Sequence, residues 1–403
     1  MRRDGDGCNI WSVLKNCIGK ELSRVSIPVG FNEPLSFLQR LSEQLEHSHL
    51  LYLAERCDSA VGRLELISAF TVACASSNWG RIWKPFNPLL GETFELDRSK
   101  DRGFRMVCEQ VCHHPPISAF HAEATDGSWI FHGSVNPKLT FWGKSIEIEP
   151  RGDLTLEFPR QVFTWRNVSC KIHNVIVGKM WIESFGNSVI LSHSNGCRAE
   201  LNWHLASWRN PEHHRVDGYI LDSSKTRLRA LYGKWVDGFY SIPVESWKAH
   251  KSTASMPLSR SRKCNSPSTA ASLASLKFYG FTRFAMQLND DAGDDCALPP
   301  TDCRRIRADI RALEAGDADT AQSVKSRLEE WQRLRLQQQR QQQKSTSASA
   351  SAGDSSSSEA GGGVWFRRWR NPYTKRDDDW QFTGEYWTRD WARCPLVCPD
   401  SAP

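Results

Sequence analysis

The spacing of hydrophobic positions changes along this chain. Leu38, Leu41, Leu45 and Tyr52, then Leu66, Ile67, Phe70 and Cys74, recur at the three- and four-residue intervals of one helix face. Asn32-Glu33-Pro34 supplies a capping residue followed by first-turn types, so the helical stretch is expected to begin there. From about Phe104 the period shortens to two. Ile146-Glu147-Ile148-Glu149 and Leu154-Thr155-Leu156-Glu157-Phe158 alternate as half-buried strands, with Arg151-Gly152-Asp153 as the turn between them. Asp126-Gly127, Gly186-Asn187, Asn195-Gly196 and Asp217-Gly218 punctuate further short strands up to about Ile242. Hairpins in such close succession predict an antiparallel meander closed as a barrel. The chain shows no βαβ alternation, which argues against a nucleotide-binding sheet.

Beyond the meander, residues 251–274 are rich in Ser, Arg and Thr and read as a mobile insert, with strand character returning at Lys277–Leu288. Thr301-Asp302 offers a helix cap, Gly316 a stop, and a second helix runs from Asp317 to about Arg340. The Gln-rich stretch from Gln337 gives way to Ser and Gly, predicting a disordered linker. Val364–Trp391 is aromatic and strand-like. The expected fold is therefore mainly β with flanking helices. Its parts are an N-terminal segment (1–31), a helical lead-in (32–103), the barrel with its insert (104–290), C-terminal helices (291–343), a linker (344–363) and an aromatic tail (364–403).

Composition narrows the function classes. The chain has 403 residues, 39% of them hydrophobic, and 17 tryptophans, enough for a large core rich in flat side chains. No run approaches the ~18–20 apolar residues that span a bilayer, and the first residues lack the apolar stretch of a secretory signal. Thirteen cysteines, scattered without a CxxC pair, suit reduced thiols in a cytoplasmic protein better than a disulfide framework. A formal charge of +6 fits an anionic membrane surface or a phosphate ligand, yet a bland soluble protein can carry it too.

The most distinctive string is Glu109-Gln110-Val111-Cys112-His113-His114-Pro115-Pro116. The two prolines forbid helix and are expected to hold both imidazoles on an extended segment leading into Ile117–Glu123. Such a pair could bind a metal, act as acid and base, or donate hydrogen bonds to an anion. Zinc would need a second Cys/His pair at finger-like spacing; Cys394 and Cys398 in the tail are the nearest candidates. A Cys–His nucleophile needs convergence in space and an oxyanion site, which adjacency in sequence does not supply. For the anion reading, Lys84 and Asn87 stand in the proline-stiffened Lys84-Pro85-Phe86-Asn87-Pro88. Lys325, Glu329 and Arg333 fall at i, i+4 and i+8 of the late helix. Spacing alone would make those three an exposed salt-bridge ladder.

The eight-residue string resembles the EQVSHHPP fingerprint of the oxysterol-binding-protein-related lipid-transfer proteins, with Cys112 in place of the usual serine. WSVLKNCIGKELSRVSIPVGFNEPLSFLQRL, KPFNPLLGETFEL, HNVIVGKMWIESFG, HRVDGYILDSSKTRLRALYGKW, LPPTDCRRIRADIRALEAGD and GEYW extend the likeness, in order, over about nine-tenths of the chain. The subgroup of related proteins 1 and 2 is the most similar. The resemblance implies a barrel enclosing a lipid tunnel. At its mouth Lys84, Asn87, His113, His114, Lys325, Glu329 and Arg333 would surround a phosphoinositide headgroup. It also implies an N-terminal lid, in which Trp11, Val13, Leu14, Ile18, Leu22, Val25 and Ile27 would face the tunnel.

The implied activity is exchange of a sterol for a phosphoinositide of the phosphatidylinositol 4-phosphate type between membranes. No catalytic residue, cofactor, metal or nucleic acid is implied, and the protein is expected to be a monomer at membrane surfaces, possessing neither a pleckstrin-homology nor an ankyrin region. A lipid-responsive scaffold without net transport, or a phosphatidylserine carrier, is the alternative; an enzyme comes third. Cys112 removes a hydroxyl donor beside the histidines, and Trp83 sets a large amphipathic ring next to Lys84.

Overall fold

The computed structural model describes residues 18–19, 21–22, 27–207, 212–252, 262–265, 278–290, 298–349 and 363–398. A short parallel pair, β1 (Asn32–Ser36) and β2 (Lys84–Phe86), brackets three helices, α1 (Phe37–Ser42), α2 (His49–Glu55) and α3 (Ala60–Ser76). The first helix starts at Phe37, later than Asn32 suggested. Asn32 is extended, and Ser36 forms the capping box instead, its N–H donating to the Gln39 side-chain oxygen Oε1 at 2.8 Å. Glu33 turns inward and joins Glu43 around the fully buried Arg81, at 2.7 and 2.9 Å. That triad ties the segment leading into β2 to α1. Leu38, Leu41, Leu45, Ile67 and Phe70 are buried, as their spacing required.

The large antiparallel sheet begins before Phe104, at β3 (Thr93–Arg98), where a short alternation buries Phe94 and Leu96. It continues through β4 (Phe104–His113), β5 (Pro116–Ala124), β6 (Ile130–Phe141), β7 (Ser145–Arg151), β8 (Leu154–Phe158), β9 (Gln161–Trp165) and β10 (Ser169–His173). Beyond these lie β11 (Trp181–Ser192), β12 (Arg198–Trp203), β13 (Arg215–Leu221), β14 (Arg227–Lys234), β15 (Phe239–Pro243) and β16 (Arg262–Asn265), with α4 (Val244–Ser252) before the last.

Consecutive strands are neighbours except in the middle of the sheet. There β7 and β8 both pair with β6, and in one register: Phe141 faces Ile146, Asn136 faces Arg151 and Gly133 faces Leu154. Arg151-Gly152-Asp153 is thus a kink in one long strand and not a reversal. Gly152, at φ +123°, is required there because a Cβ would lie 1.9 Å from the Ser134 carbonyl oxygen. The kink separates the β7–β10 ladder from the β8–β9 ladder, and the Asp153–Arg166 ion pair lies beside it. Gly186-Asn187 and Asp217-Gly218 also fall inside strands, β11 and β13. At Gly218 the missing side chain admits the β12 backbone, since a Cβ would meet the Glu200 carbonyl oxygen at 2.0 Å.

No ladder joins the edges β3 and β16 among the described residues. The sheet wraps α1–α3 instead, and one apolar core runs from those helices to strands β3 through β15. Phe70 of α3 meets Phe131 and Trp165 edge-on at 5.6 and 6.4 Å.

Of the expected strand Lys277–Leu288, Lys277 lies outside the described residues and Phe278–Leu288 is not a strand. Phe281, Phe284, Ala285 and Leu288 are buried at helical spacing, and Thr282 caps α5 (Arg283–Met286) by accepting from the Ala285 N–H at 3.1 Å. Then come α6 (Cys303–Ile306), α7 (Ala308–Glu314), the stop at Gly316 with φ +87°, and α8 (Ala318–Ser349). The last helix continues beyond residue 343 into the expected linker, because Gln and Arg are good helix formers and a started helix propagates cheaply. Residues 350–362 lie outside the described residues. Within the expected mobile insert, 251–252 finish α4 and 262–265 form β16; 253–261 and 266–274 also lie outside.

The aromatic tail forms a hairpin, β17 (Phe366–Trp369) with β18 (Asp379–Phe382). Trp365, Phe366, Trp380 and Tyr386 pack on Val107, Val111 and Ala119 of β4 and β5. Glu109 anchors it, accepting from the backbone N–H groups of Val364 and Trp365 at 2.7 and 2.9 Å.

Candidate functional site

The histidine pair stands at the tip of the β4–β5 hairpin. The chain reverses at His114-Pro115, a cis peptide, so that His113 pairs across from Pro116. The double proline therefore makes a corner where an extended run was expected. Gln110 staples this corner: its amide donates to the Cys112 carbonyl at 2.8 Å and its oxygen accepts from the Ser118 hydroxyl. The two imidazoles lie edge to face with centroids 4.5 Å apart. His113 Nδ1 is buried without a hydrogen-bond partner among the described residues. Burial, then the neighbouring His114, pull the His113 pKa down to about 4, with Glu329 opposing.

A second wall comes from β2. Asn32, opposite Lys84 in the parallel pair, donates its amide to the Lys84 and Pro85 carbonyls at 2.9 and 3.4 Å. The Lys84 ammonium donates to Asn87 Oδ1. Beneath it Arg307, held by Glu92 (3.0 Å) and Asp309 (2.8 Å), donates to the Asn87 carbonyl at 3.0 Å. Burial and the Lys325 charge, with a smaller push from Arg307 and relief from Glu329, bring the Lys84 pKa down to about 7.

The third wall is α8. Lys325 pairs with Glu329 at 3.0 Å and also donates to the Ile27 carbonyl at 2.7 Å; one turn earlier Gln322 accepts from the Val29 N–H at 2.9 Å. Lys84, Asn87, His113, His114, Lys325, Glu329 and Arg333 all line a single cavity of about 290 Å³. Asn87, His114 and Arg333 are the exposed members of the set.

Asn32, Arg307 and Gln332 line the same cavity and were missed from sequence. Gln332 and Asn32 are buried, and each keeps one polar atom, Nε2 and Oδ1, without a hydrogen-bond partner among the described residues. Gln332 had a usable signal: with Lys325, Leu328 and Glu329 it completes an i, i+3, i+4, i+7 face. Asn32 was read as a helix cap, and nothing marked Arg307.

A second cavity, also about 290 Å³, shares Ile27, Lys84 and Asn87 with the first. Its remaining wall is largely apolar and includes Phe37, Leu41, Ala75, Leu139, Ile146, Ile172 and Ile182. Trp83 lines this cavity, its ring edge-on to Tyr279 at 6.1 Å. Leu22 is fully buried against Phe141, Ile172, Val175 and Ile182 and forms part of the lining, as does Ile27. Ile18 is absent from the lining: it bridges to Phe141 at the rim and stays half exposed. Trp11, Val13, Leu14 and Val25 lie outside the described residues.

The two cavities together define a binding site for an amphipathic molecule. One end offers cations and imidazoles. Arg333 can grip a phosphomonoester with a planar fork, Lys84 and Lys325 act as point charges, and each neutral imidazole can donate one N–H. The other end offers mainly apolar contact to a hydrocarbon body, with polar side chains such as Gln44, Asn78 and Asn167 among its lining. No helix among the described residues is long and apolar enough to cross a membrane.

A mainly β, helix-filled sheet with an apolar chamber beneath a cationic rim describes a lipid-binding domain. The family model described as Oxysterol-binding protein matches residues 9–391, and the chain belongs to that family. It is 42% identical to human oxysterol-binding protein-related protein 1 over 420 residues, covering 96% of this chain and 42% of that protein. It is 40% identical to human oxysterol-binding protein-related protein 2, covering 96% of this chain and 84% of that protein. The chain thus spans about two-fifths of the related protein 1 sequence.

Among solved structures, the Osh1 ORD domain in complex with cholesterol superposes with a TM-score of 0.80 at 28% identity, covering 98% of this chain and 92% of that one. The Osh3 ORD in complex with PI(4)P from Saccharomyces cerevisiae does so with a TM-score of 0.76 at 29% identity, covering 98% and 96%.

Proposed function

We propose that the protein is a lipid carrier that takes a sterol into the apolar cavity and exchanges it for a phosphoinositide whose phosphorylated inositol occupies the cationic rim. One observation carries the reading: seven polar residues from β2 and the turn after it, the β4–β5 hairpin and α8 converge on one cavity that adjoins an apolar one. The cholesterol and PI(4)P held by structurally similar domains support both halves of it. Because the cavities share Ile27, Lys84 and Asn87, the two lipids compete for one chamber. Direction of transport follows from their relative affinities and the phosphoinositide gradient. No bond is made or broken, and the protein acts peripherally at membrane surfaces.

Liposome assays test this. H113A/H114A is expected to abolish extraction of a phosphatidylinositol 4-phosphate while sterol extraction continues. Equal loss of both, with unchanged melting, overturns the division of labour. Ligand binding without faster transfer between vesicles assigns the protein to lipid-responsive scaffolding instead.

A further inference from the structure

Three large apolar side chains are exposed side by side at one rim of the sheet: Ile18 (50%), Trp142 (56%) and Val177 (80%). The backbone brings them together. Trp142 begins the tight β6–β7 turn, closed by its own N–H to the Ser145 carbonyl at 2.8 Å. The Val175 N–H bonds the Lys144 carbonyl at 3.2 Å, fastening the β10–β11 loop to that turn, and the Gly19 N–H reaches the Phe141 carbonyl at 2.7 Å. The indole is held in place, its N–H on Glu147 at 3.2 Å.

Charge and packing say what this tip meets. Lys144 and Lys179 are exposed on the two loops and make no ion pair among the described residues. Residues 142–144 and 174–180 contain no carboxylate. Of the acids on the adjoining segments, Glu147 holds the indole, the buried Glu183 accepts from His173 at 2.7 Å, and Glu21 lies half-buried opposite Thr140. Directly beneath, Val175 and Met180 of the same loop line the apolar cavity. The inner side of these loops therefore faces the chamber and the outer side faces solvent.

An amphipathic ring, aliphatic neighbours and flanking lysines are the combination that settles at a bilayer's headgroup level. We infer that the tip formed by Trp142, Val177, Ile18, Lys144 and Lys179 docks the protein on an anionic membrane surface, with the chamber wall against the bilayer. The inference deepens the lipid-carrier reading, and its test uses vesicles free of sterol and phosphoinositide.

Co-sedimentation is measured with phosphatidylcholine vesicles, with and without about one-third phosphatidylserine. W142S/V177S is expected to raise the lipid concentration for half-binding about tenfold on both. V177S alone, at a position with almost no packing to lose, moves it in the same direction. K144E/K179E is expected to lose about tenfold or more on the anionic vesicles only. Three results overturn the inference: no binding of the unaltered protein to anionic vesicles, unchanged binding by both double variants at wild-type melting temperature, or self-association in the ultracentrifuge that W142S/V177S abolishes, which would make the tip an interface between copies. Normal docking with no lipid exchange would sink the carrier reading alone.

Discussion

Lys84 concentrates the electrostatic tension of the site. It sits among Lys325, Arg307 and a protein wall, and its pKa falls from 10.5 to about 7. His113, at about 4, is already neutral throughout the physiological range, so of these two it is Lys84 whose proton responds there. A bound phosphate restores the lysine's charge, which means that binding above pH 7 must take up a proton. Affinity for a soluble inositol phosphate is therefore expected to fall as pH rises from 7 to 9, with proton uptake visible by calorimetry in buffers of different ionisation enthalpy. A flat profile would remove Lys84 from the headgroup site.

The same shift acts on stability. Between pH 7 and 10.5 the unfolded chain holds a proton that the folded one lacks, so this group makes stability rise with pH across that window. Lys84→Met is expected to remove that rise, to melt higher than the native chain at pH 6 when empty, and to lose headgroup binding. A lower melting temperature at pH 6 would contradict the assignment.

At the scale of elements, the fingerprint string is a joint as well as a ligand site. Glu109 receives two backbone N–H groups of the aromatic tail, while His113 closes the same strand and His114 follows it in the hairpin turn. Glu109→Ala leaves those donors buried and unpaired, which costs about 1–3 kcal/mol each. Early urea unfolding and faster hydrogen exchange at Val364 and Trp365 check this; unchanged exchange would refute the anchor.

Elements also differ in how much of themselves they disclose in sequence. Periodicity revealed α1–α3 and the face of α8, because burial on one side imposes a repeat. The HHPP string announced a site without revealing a hairpin corner, since proline restricts dihedrals but does not choose which way the chain turns. Gly152 read as a turn because glycine marks both reversals and close approaches, and only the partner strand decides between them. Arg307 and Asn32 were invisible because their roles depend on chain segments more than fifty residues away.

For the whole molecule, the two cavities make head recognition and body recognition separable. Ala75 lines only the apolar one. Ala75→Trp is expected to block sterol uptake while keeping affinity for a soluble inositol phosphate within about threefold, at a folding cost of about 1–3 kcal/mol from overpacking. Fluorescent-sterol binding and calorimetry read the two halves independently. Parallel loss of both at wild-type stability would mean that the chambers act as one.

Lys325 lines the cationic cavity, where the proposed anionic guest would sit, and its ammonium also donates to the carbonyl of Ile27, a strap residue that lines both cavities. Guest and strap then answer to one shared cation. Whatever factor by which a seated strap strengthens or weakens the hold on the guest, the guest must return to the strap in equal measure.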